Sequence, residues 1–396
     1  MGGVTTRPVL ASRLRGFGAS IFAEMTALAV STGSVNLGQG FPDYDGPAEV
    51  LRIAQEQIAS GANQYPPGTG QPDLRSAVCE HQKRFWGMDL DPDTDVLITM
   101  GATEAIAGAL LGMLDAGDEV IVFEPLFDTY AACVSLAGAV LVPVTLRPDA
   151  GGRFCFDPAD LRRAVTPRTR MILLNSPHNP TGTVFTRGEL QAVADTAVEH
   201  DLIVVSDEVY EHLTFDGLAH TPIATLDGMA GRTVTVSSGG KSFNTTGWKI
   251  GWACGPAPLV NAVRMAKQLF TFAGGTPFQP AIAAGLRLPD SYFSSLAADL
   301  QAKRDVLRDA LAHAGLRPYA SSGTYFVTAD VRGRRADGDG TEFCREMPAG
   351  CGVVAIPAGV LYSPANAAEG RHIVRFAFCK QMPTIEEAAR RLAAWK

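Results

Sequence analysis

Five short runs between residues 96 and 237 constrain the fold more than anything else in this chain: Val96-Leu-Ile-Thr-Met100, Glu119-Val-Ile-Val-Phe123, Met171-Ile-Leu-Leu174, Leu202-Ile-Val-Val-Ser206 and Thr233-Val-Thr-Val-Ser237. Each is nearly all apolar or β-branched and is bounded by turn residues. A strand with one wet face alternates polar and apolar residues; these do not, so each is expected to be buried on both faces. Helical patterns separate them, one from Thr103 to near Gly117 and another from Thr186 to His200. That rhythm predicts a mostly parallel sheet with helices on both sides.

The pattern changes after about Gly285. Ser291 to Ala314 reads as one long amphipathic helix, stopped by Gly315 and Pro318. Short alternating strands follow at Thr324–Ala329, Val353–Ile356 and Ile373–Phe378. A last helix is expected from Thr384, with Glu387 closing a capping box. A chain of 396 residues exceeds one compact core. The expected fold class is therefore α/β, with a large domain over 45–285 and a smaller α+β domain from 1–44 and 286–396. The stretch 332–340 (RGRRADGDG) reads as a mobile surface loop.

Composition excludes several function classes. Hydrophobic residues are 46% and charged residues 19%, which suits a large buried core and not a disordered chain. A formal charge of -7 and the lack of a basic run argue against a nucleic-acid surface. The seven scattered cysteines show neither C-x-x-C nor zinc-ligand spacing, so buried reduced thiols and no metal are expected. The N-terminus has no signal-peptide core, and the most apolar stretch, Ala105 to Leu114, is too short to span a bilayer. A soluble, cytoplasmic protein without membrane or nucleic-acid partners is the expectation.

In parallel α/β sheets ligands sit beyond the C-terminal ends of the strands. Polar residues collect there: Asn175 and Asn179 after one strand, Asp207 and Tyr210 after another, Ser238 and Lys241 after a third. Gly101-Ala102-Thr103 lies between a strand and a helix. Singly, each residue is explained by turn or capping chemistry. Together they mark a site.

The segments Asn175-Ser-Pro-His-Asn-Pro-Thr-Gly182, Ser206-Asp-Glu-Val-Tyr210 and Ser237-Ser-Gly-Gly-Lys-Ser-Phe-Asn-Thr-Thr-Gly-Trp-Lys-Ile-Gly-Trp252 carry a resemblance to the class I aminotransferases of pyridoxal-phosphate (PLP) fold type I. It extends from Asn36-Leu-Gly-Gln-Gly-Phe-Pro-Asp43 to Val374-Arg-Phe-Ala-Phe378. Within the family the chain is similar to the kynurenine and methionine aminotransferase branch. It is closer still to the actinobacterial N-succinyldiaminopimelate aminotransferases, through Asn63-Gln-Tyr-Pro-Pro67 and Gly247-Trp-Lys-Ile-Gly-Trp-Ala-Cys-Gly-Pro256.

The resemblance implies pyridoxal 5'-phosphate as cofactor and a role for each residue. Lys241 would carry the cofactor and then move the proton. Asp207 would pair with the pyridine nitrogen, while Asn179 and Tyr210 would hydrogen-bond the phenolic oxygen. Phe127 would stack on the ring. Gly101, Ala102, Thr103, Ser238 and Lys249 would hold the phosphate, helped by Tyr65 from the neighbouring subunit of a homodimer with shared active sites. Arg375 would grip the substrate α-carboxylate beside Gly40 and Asn179, since a guanidinium suits a bidentate carboxylate contact. The strand around Arg375 alternates, which turns that residue away from Val374, Phe376 and Phe378. Phe22 would line the substrate pocket.

The activity implied is transfer of an amino group between an amino acid and a 2-oxo acid, with N-succinyl-LL-diaminopimelate and 2-oxoglutarate as the pair. A kynurenine, methionine or glutamine transaminase with cysteine-conjugate β-lyase side activity would share every residue named. A regulator built on this fold would need a DNA-binding segment that the stretch before Asn36 is too short to supply. A nicotinamide dehydrogenase would need a G-x-G-x-x-G that is missing after an early strand.

Overall fold

The computed structural model describes residues 9–17 and 21–395. Residues 1–8 and 18–20, assigned above to the smaller domain, and Lys396 lie outside the described residues.

All five apolar runs are strands, and they belong to one seven-stranded sheet. In chain order these are β1 (Val96–Met100), β2 (Glu119–Glu124), β3 (Val140–Thr145), β4 (Thr169–Asn175), β5 (Ile203–Asp207), β6 (Thr233–Ser238) and β7 (Ile250–Cys254). Their spatial order is β1-β7-β6-β5-β4-β2-β3. The ladders from β6 through β5, β4 and β2 to β3 are parallel. Only β7 runs against both of its neighbours, β1 and β6. Consecutive residues of a strand enter different cores. Ile121, Ile172 and Val204 pack on one face with Phe154, Leu190 and Val193, whereas Val120, Met171 and Val205 pack on the other with Ile106, Leu110 and Val263. Burial on both faces is why these runs lack alternation.

Helix α1 (Gly101–Met113) follows β1 directly, and α2 (Asp128–Leu136) follows β2. Helix α3 (Arg187–Glu199) opens on Thr186, whose hydroxyl accepts from the Glu189 amide while Glu189 accepts from the Thr186 amide.

A second sheet has four antiparallel strands: β8 (Arg317–Pro318), β9 (Phe326–Asp330), β10 (Ile356–Pro357) and β11 (Ile373–Ala377), ordered β8-β9-β11-β10. Helices α4 (Asp290–His313) and α5 (Met382–Ala393) share its core. Met25 and Leu37 join that core from the N-terminal side, and Tyr210, Leu213 and Phe215 join it from the segment after β5. The two sheets thus meet where β5 ends.

One expectation fails locally. The last helix begins at Met382, two residues before Thr384, with no side-chain cap of its own. Asp43 supplies the acceptors there, taking the Gln381 amide at 2.6 Å and the Thr384 hydroxyl at 2.8 Å. Glu387 instead pairs with Arg390 and Arg391. The stretch 332–340 is charged as read, but its charges are tied down. Arg332 pairs with Asp330, Arg335 with Asp337 and Glu346, and Asp339 caps helix Gly340–Cys351. All seven cysteines are free; Cys133, Cys254, Cys344 and Cys379 are buried and the rest half-buried. No helix among the described residues is long and apolar enough to cross a membrane.

Candidate active site

A cavity of about 450 Å³ opens where the C-terminal ends of β1, β4, β5 and β6 face the second sheet. The antiparallel β7 completes this edge. Because it runs backwards, its start lies where its neighbours end, so Lys249, just before Ile250, reaches the same cavity. Lys249 thus stands with the other residues expected at the phosphate, but the strand that brings it there was not foreseen, because this run was read as a motif and not as the entry to a strand.

Asp207 ends β5 beside Asn175 of β4, its partner across the ladder. The Asn175 amide donates to the Asp207 carbonyl at 2.9 Å, and its oxygen accepts the Asn179 backbone N–H at 2.8 Å. One Asp207 carboxylate oxygen accepts the Tyr130 hydroxyl at 2.6 Å; the other takes the Val209 amide at 3.3 Å. Burial nevertheless pushes the carboxyl up to about 6. Beneath this segment several polar side chains bond one another. Glu208 takes Ser206 and His220 at 2.7 Å each, and Glu211 takes Ser237 at 2.7 Å and Trp86 at 2.6 Å. His81 and His212 face each other at 2.7 Å, and burial holds both well below the usual histidine range. With Glu211 they are close enough to hold a metal ion; Glu211 and His212 are adjacent in the chain and His81 comes from a distant segment. Such a network ties the turn after β5 to its surroundings.

Lys241 follows β6 in a short helix, Gly239–Ser242. Its amine donates to the Tyr325 hydroxyl at 2.9 Å and lies 5.7 Å from the Tyr210 ring centroid. Burial lowers its pKa, so the neutral amine is more accessible than in water.

At the other end of the cavity, α1 opens with Gly101-Ala102-Thr103, whose first-turn amides lack helical partners. Gly101 has φ +71°, and a Cβ there would lie 3.2 Å from the Lys249 amine. A helix N-terminus, the Thr103 and Ser238 hydroxyls and a lysine form a cradle for an anion.

Arg375 is 3% exposed, yet none of its hydrogen-bond partners is charged. Its guanidinium donates to the Asn179 side chain at 3.0 Å and the Gly38 carbonyl at 3.1 Å. It lies 4.0 Å from the centroid of Phe326 and 5.2 Å from that of Phe22, and its Nε is buried with no partner among the described residues. Burial lowers its pKa to about 10, still far above neutrality, so the charge persists. The strand alternates as read, but Val374, Arg375 and Phe376 are all buried, because the cavity lies on the arginine's side.

The structure therefore gathers Phe22, Gly40, Gly101, Ala102, Thr103, Phe127, Asn179, Asp207, Tyr210, Ser238, Lys241, Lys249 and Arg375 around one cavity. Tyr65 is not among them. It is 83% exposed, edge-on to Phe272 with ring centroids 6.0 Å apart. Two residues escaped the sequence reading. Tyr130 was detectable in principle, since it lies three positions after Phe127 and so on the same side of the first turn of α2. Tyr325 carried no local signal, because only the approach of the second sheet brings it to Lys241.

The chain is similar to known proteins over nearly its whole length. Residues 32–392 match the family model for aminotransferase class I and II. A protein of Mycobacterium tuberculosis named as a probable N-succinyldiaminopimelate aminotransferase is 52% identical over 96% of this chain and 97% of its own. Kynurenine–oxoglutarate transaminase 3 of Mus musculus is 36% identical, covering 97% of this chain and 90% of its own. The solved structure of N-succinyldiaminopimelate aminotransferase from Mycobacterium tuberculosis superposes with a TM-score of 0.95 at 51% identity, covering 98% of this chain and all of that one. The chain is an aminotransferase and belongs to the aminotransferase class I and II family.

Proposed function

We propose that this aminotransferase uses pyridoxal 5'-phosphate to move an amino group from N-succinyl-LL-diaminopimelate to 2-oxoglutarate. The observation that carries the reading is Arg375, a buried guanidinium on the cavity wall without a carboxylate partner among the described residues. A buried cation is costly unless paired, and an α-carboxylate supplies the missing charge in both halves of the cycle. The relative at 52% identity supports the succinylated substrate.

The donor set fits the cofactor. The Gly101–Thr103 turn, Ser238 and Lys249 would hold its phosphate, Phe127 would lie against its ring, and Asn179 and Tyr210 would meet its phenolic oxygen. Asp207, raised to about 6 by burial, is a carboxyl short of a positive partner, which a ring N–H⁺ would be. When bound, the cofactor supplies a covalent anchor for the amine and an electron sink. The protein's own part is then to orient and to move a proton. Arg375 and Asn179 fix the α-carboxylate, and so the Cα–H bond. Lys241, its amine kept partly neutral by burial, takes and returns the Cα proton. The aromatic wall of Phe22, Phe127 and Phe326 excludes water.

The lysines and arginines lining the cavity are Lys241, Lys249 and Arg375, all with tasks assigned above. Among the described residues none remains on the cavity wall for the distal carboxylates of a succinylated substrate. That supports a homodimer with shared sites, in which exposed Tyr65 reaches the phosphate of the neighbouring subunit. The enzyme is cytoplasmic in this reading, with a large domain over 45–285 and a small one formed by 1–44 and 286–396.

The substrate is tested with a panel of amino donors. N-succinyl-LL-diaminopimelate should give the highest kcat/KM among itself, kynurenine, methionine, glutamine and ornithine. Removing the succinyl group should cost about 2 kcal/mol or more, about thirtyfold, if its carboxylate is paired. Kynurenine or methionine ahead by tenfold would make a kynurenine, methionine or glutamine transaminase, with β-lyase side activity, the better reading.

A second expectation follows from Asp207. Its carboxyl in the folded, cofactor-free protein titrates higher than in the unfolded chain, so the folded state binds the proton more tightly. Its contribution to stability is full below pH 4 and is lost as pH rises towards and beyond 6, a change of about 3 kcal/mol. Urea unfolding of cofactor-free wild type and Asp207→Asn across that range should show the wild type losing this amount relative to the variant. Parallel curves would mean that Asp207 is solvated or already paired.

A further inference from the structure

We infer that Tyr325 is a positioning residue that ties the substrate-carboxylate loop, Gly38–Phe41, to the amine of Lys241. The inference rests on the reading of Lys241 and Arg375 given above. Tyr325 is 2% exposed, and its hydroxyl meets the Lys241 amine and the Gly40 carbonyl as well as the Tyr210 hydroxyl. It accepts from the Lys241 amine at 2.9 Å and donates to the Gly40 carbonyl at 2.7 Å.

The direction of those bonds matters. The single hydroxyl proton has the Gly40 carbonyl and the Tyr210 hydroxyl to point at, and directed at either it leaves the oxygen facing Lys241 as an acceptor. It can hold one amine N–H without occupying the nitrogen lone pair, which is the part of the lysine that must take a proton. Burial keeps Tyr325 protonated far above neutrality, so this polarity persists over the working pH range. The ring itself has little freedom. It stands edge-on to Tyr210 at 5.1 Å and to Phe326 at 4.8 Å between centroids.

The loop on the other side is equally confined. A Cβ on Gly40 would come within 2.4 Å of the Phe326 ring and 3.0 Å of the Tyr325 ring, so the backbone lies directly on this pair. Two residues earlier, the Gly38 carbonyl accepts from Arg375 at 3.1 Å. One short loop is therefore fastened through one carbonyl to the arginine that would meet substrate, and through another to the hydroxyl that aims the lysine. A carboxylate arriving at Arg375 competes with the Gly38 carbonyl for the guanidinium, and the adjustment passes through Gly40 and Tyr325 to the Lys241 amine. Substrate docking and alignment of the base become one event.

Tyr325→Phe keeps the ring and removes only the hydroxyl. Three measurements on this variant and wild type decide the matter: affinity of the cofactor-free protein for pyridoxamine 5'-phosphate, the single-turnover rate of Cα proton transfer, and its isotope effect with Cα-deuterated substrate. The amine form of the cofactor does not need the lysine for binding, so it reports on the integrity of the cavity. The expected result is affinity within about twofold, proton transfer about tenfold to a hundredfold slower, and a larger isotope effect. Proton transfer within threefold of wild type with an unchanged isotope effect would overturn the inference. So would a loss of affinity that matches the loss of rate, since the hydroxyl would then be holding the cavity together. Failure of wild type itself to bind the cofactor would instead overturn the proposed function.

Discussion

Lys241→Ala should lower transamination by about 10⁴-fold or more, while the protein still binds PLP through its phosphate contacts. The variant loses two things at once: the amine that anchors the cofactor covalently and the base placed to move the Cα proton. The structure separates these from cofactor retention. The anion cradle of Gly101–Thr103, Ser238 and Lys249 is built by α1, the end of β6 and the entry to β7, and none of it uses the Lys241 side chain. Borohydride treatment of the wild type should leave the pyridoxyl group on Lys241, read by peptide mass mapping. Attachment to Lys249 or Lys267 would overturn the assignment. Lys267 is a fair control, because it too is buried with a lowered pKa, but its amine is spent on the carbonyls of Gly68 and Phe272. A small primary amine added to Lys241→Ala should restore part of the rate, as expected when a base is missing and the cavity around it is intact.

How far the sequence could be read depended on whether the signal was local. The five apolar strands were legible because burial on both faces forces an unbroken run of branched residues, and their ends pointed to Asn175, Asp207 and Ser238. The antiparallel β7 was not. Its five residues, Ile-Gly-Trp-Ala-Cys, include two small ones and no strand-like rhythm, and they lie in a glycine-rich stretch that reads equally well as a loop. The start of α5 was misread for a related reason. A Thr384–Glu387 pair resembles a capping box, but capping depends on which acceptor arrives first, and Asp43 arrives from more than 300 positions away in sequence. Tyr130 and Tyr325 sit on different elements from the groups they serve, so their roles exist only after the sheets have met. Tyr65 stays open in the opposite sense: its expected partner belongs to a second copy of the chain.

Arg375→Ala should reduce kcat/KM by about thirtyfold to several thousandfold for amino donors and oxo acids alike, the scale of about 2–5 kcal/mol for losing one side of a desolvated charge pair. The same factor is expected for both because each presents the same α-carboxylate, whichever side chain follows it. The variant has a second consequence of opposite character. In the free protein the guanidinium is buried between Phe22 and Phe326, with neutral oxygens for partners and one nitrogen unpaired. Burying a charge in that state costs stability, so removing it should leave the free protein about as stable as before, despite the cavity created. A purely structural arginine behaves the other way. Its loss would lower stability by several kcal/mol, and substrate would protect neither protein more than the other. The decisive measurement is therefore a pair: kcat/KM for both half-reactions, and thermal unfolding with and without a substrate-like dicarboxylate. Wild type should gain several degrees from the dicarboxylate and Arg375→Ala almost nothing, with similar midpoints when it is absent. If the variant unfolds much earlier without ligand and still responds to the dicarboxylate as wild type does, Arg375 holds the fold, and the α-carboxylate must be met by another group.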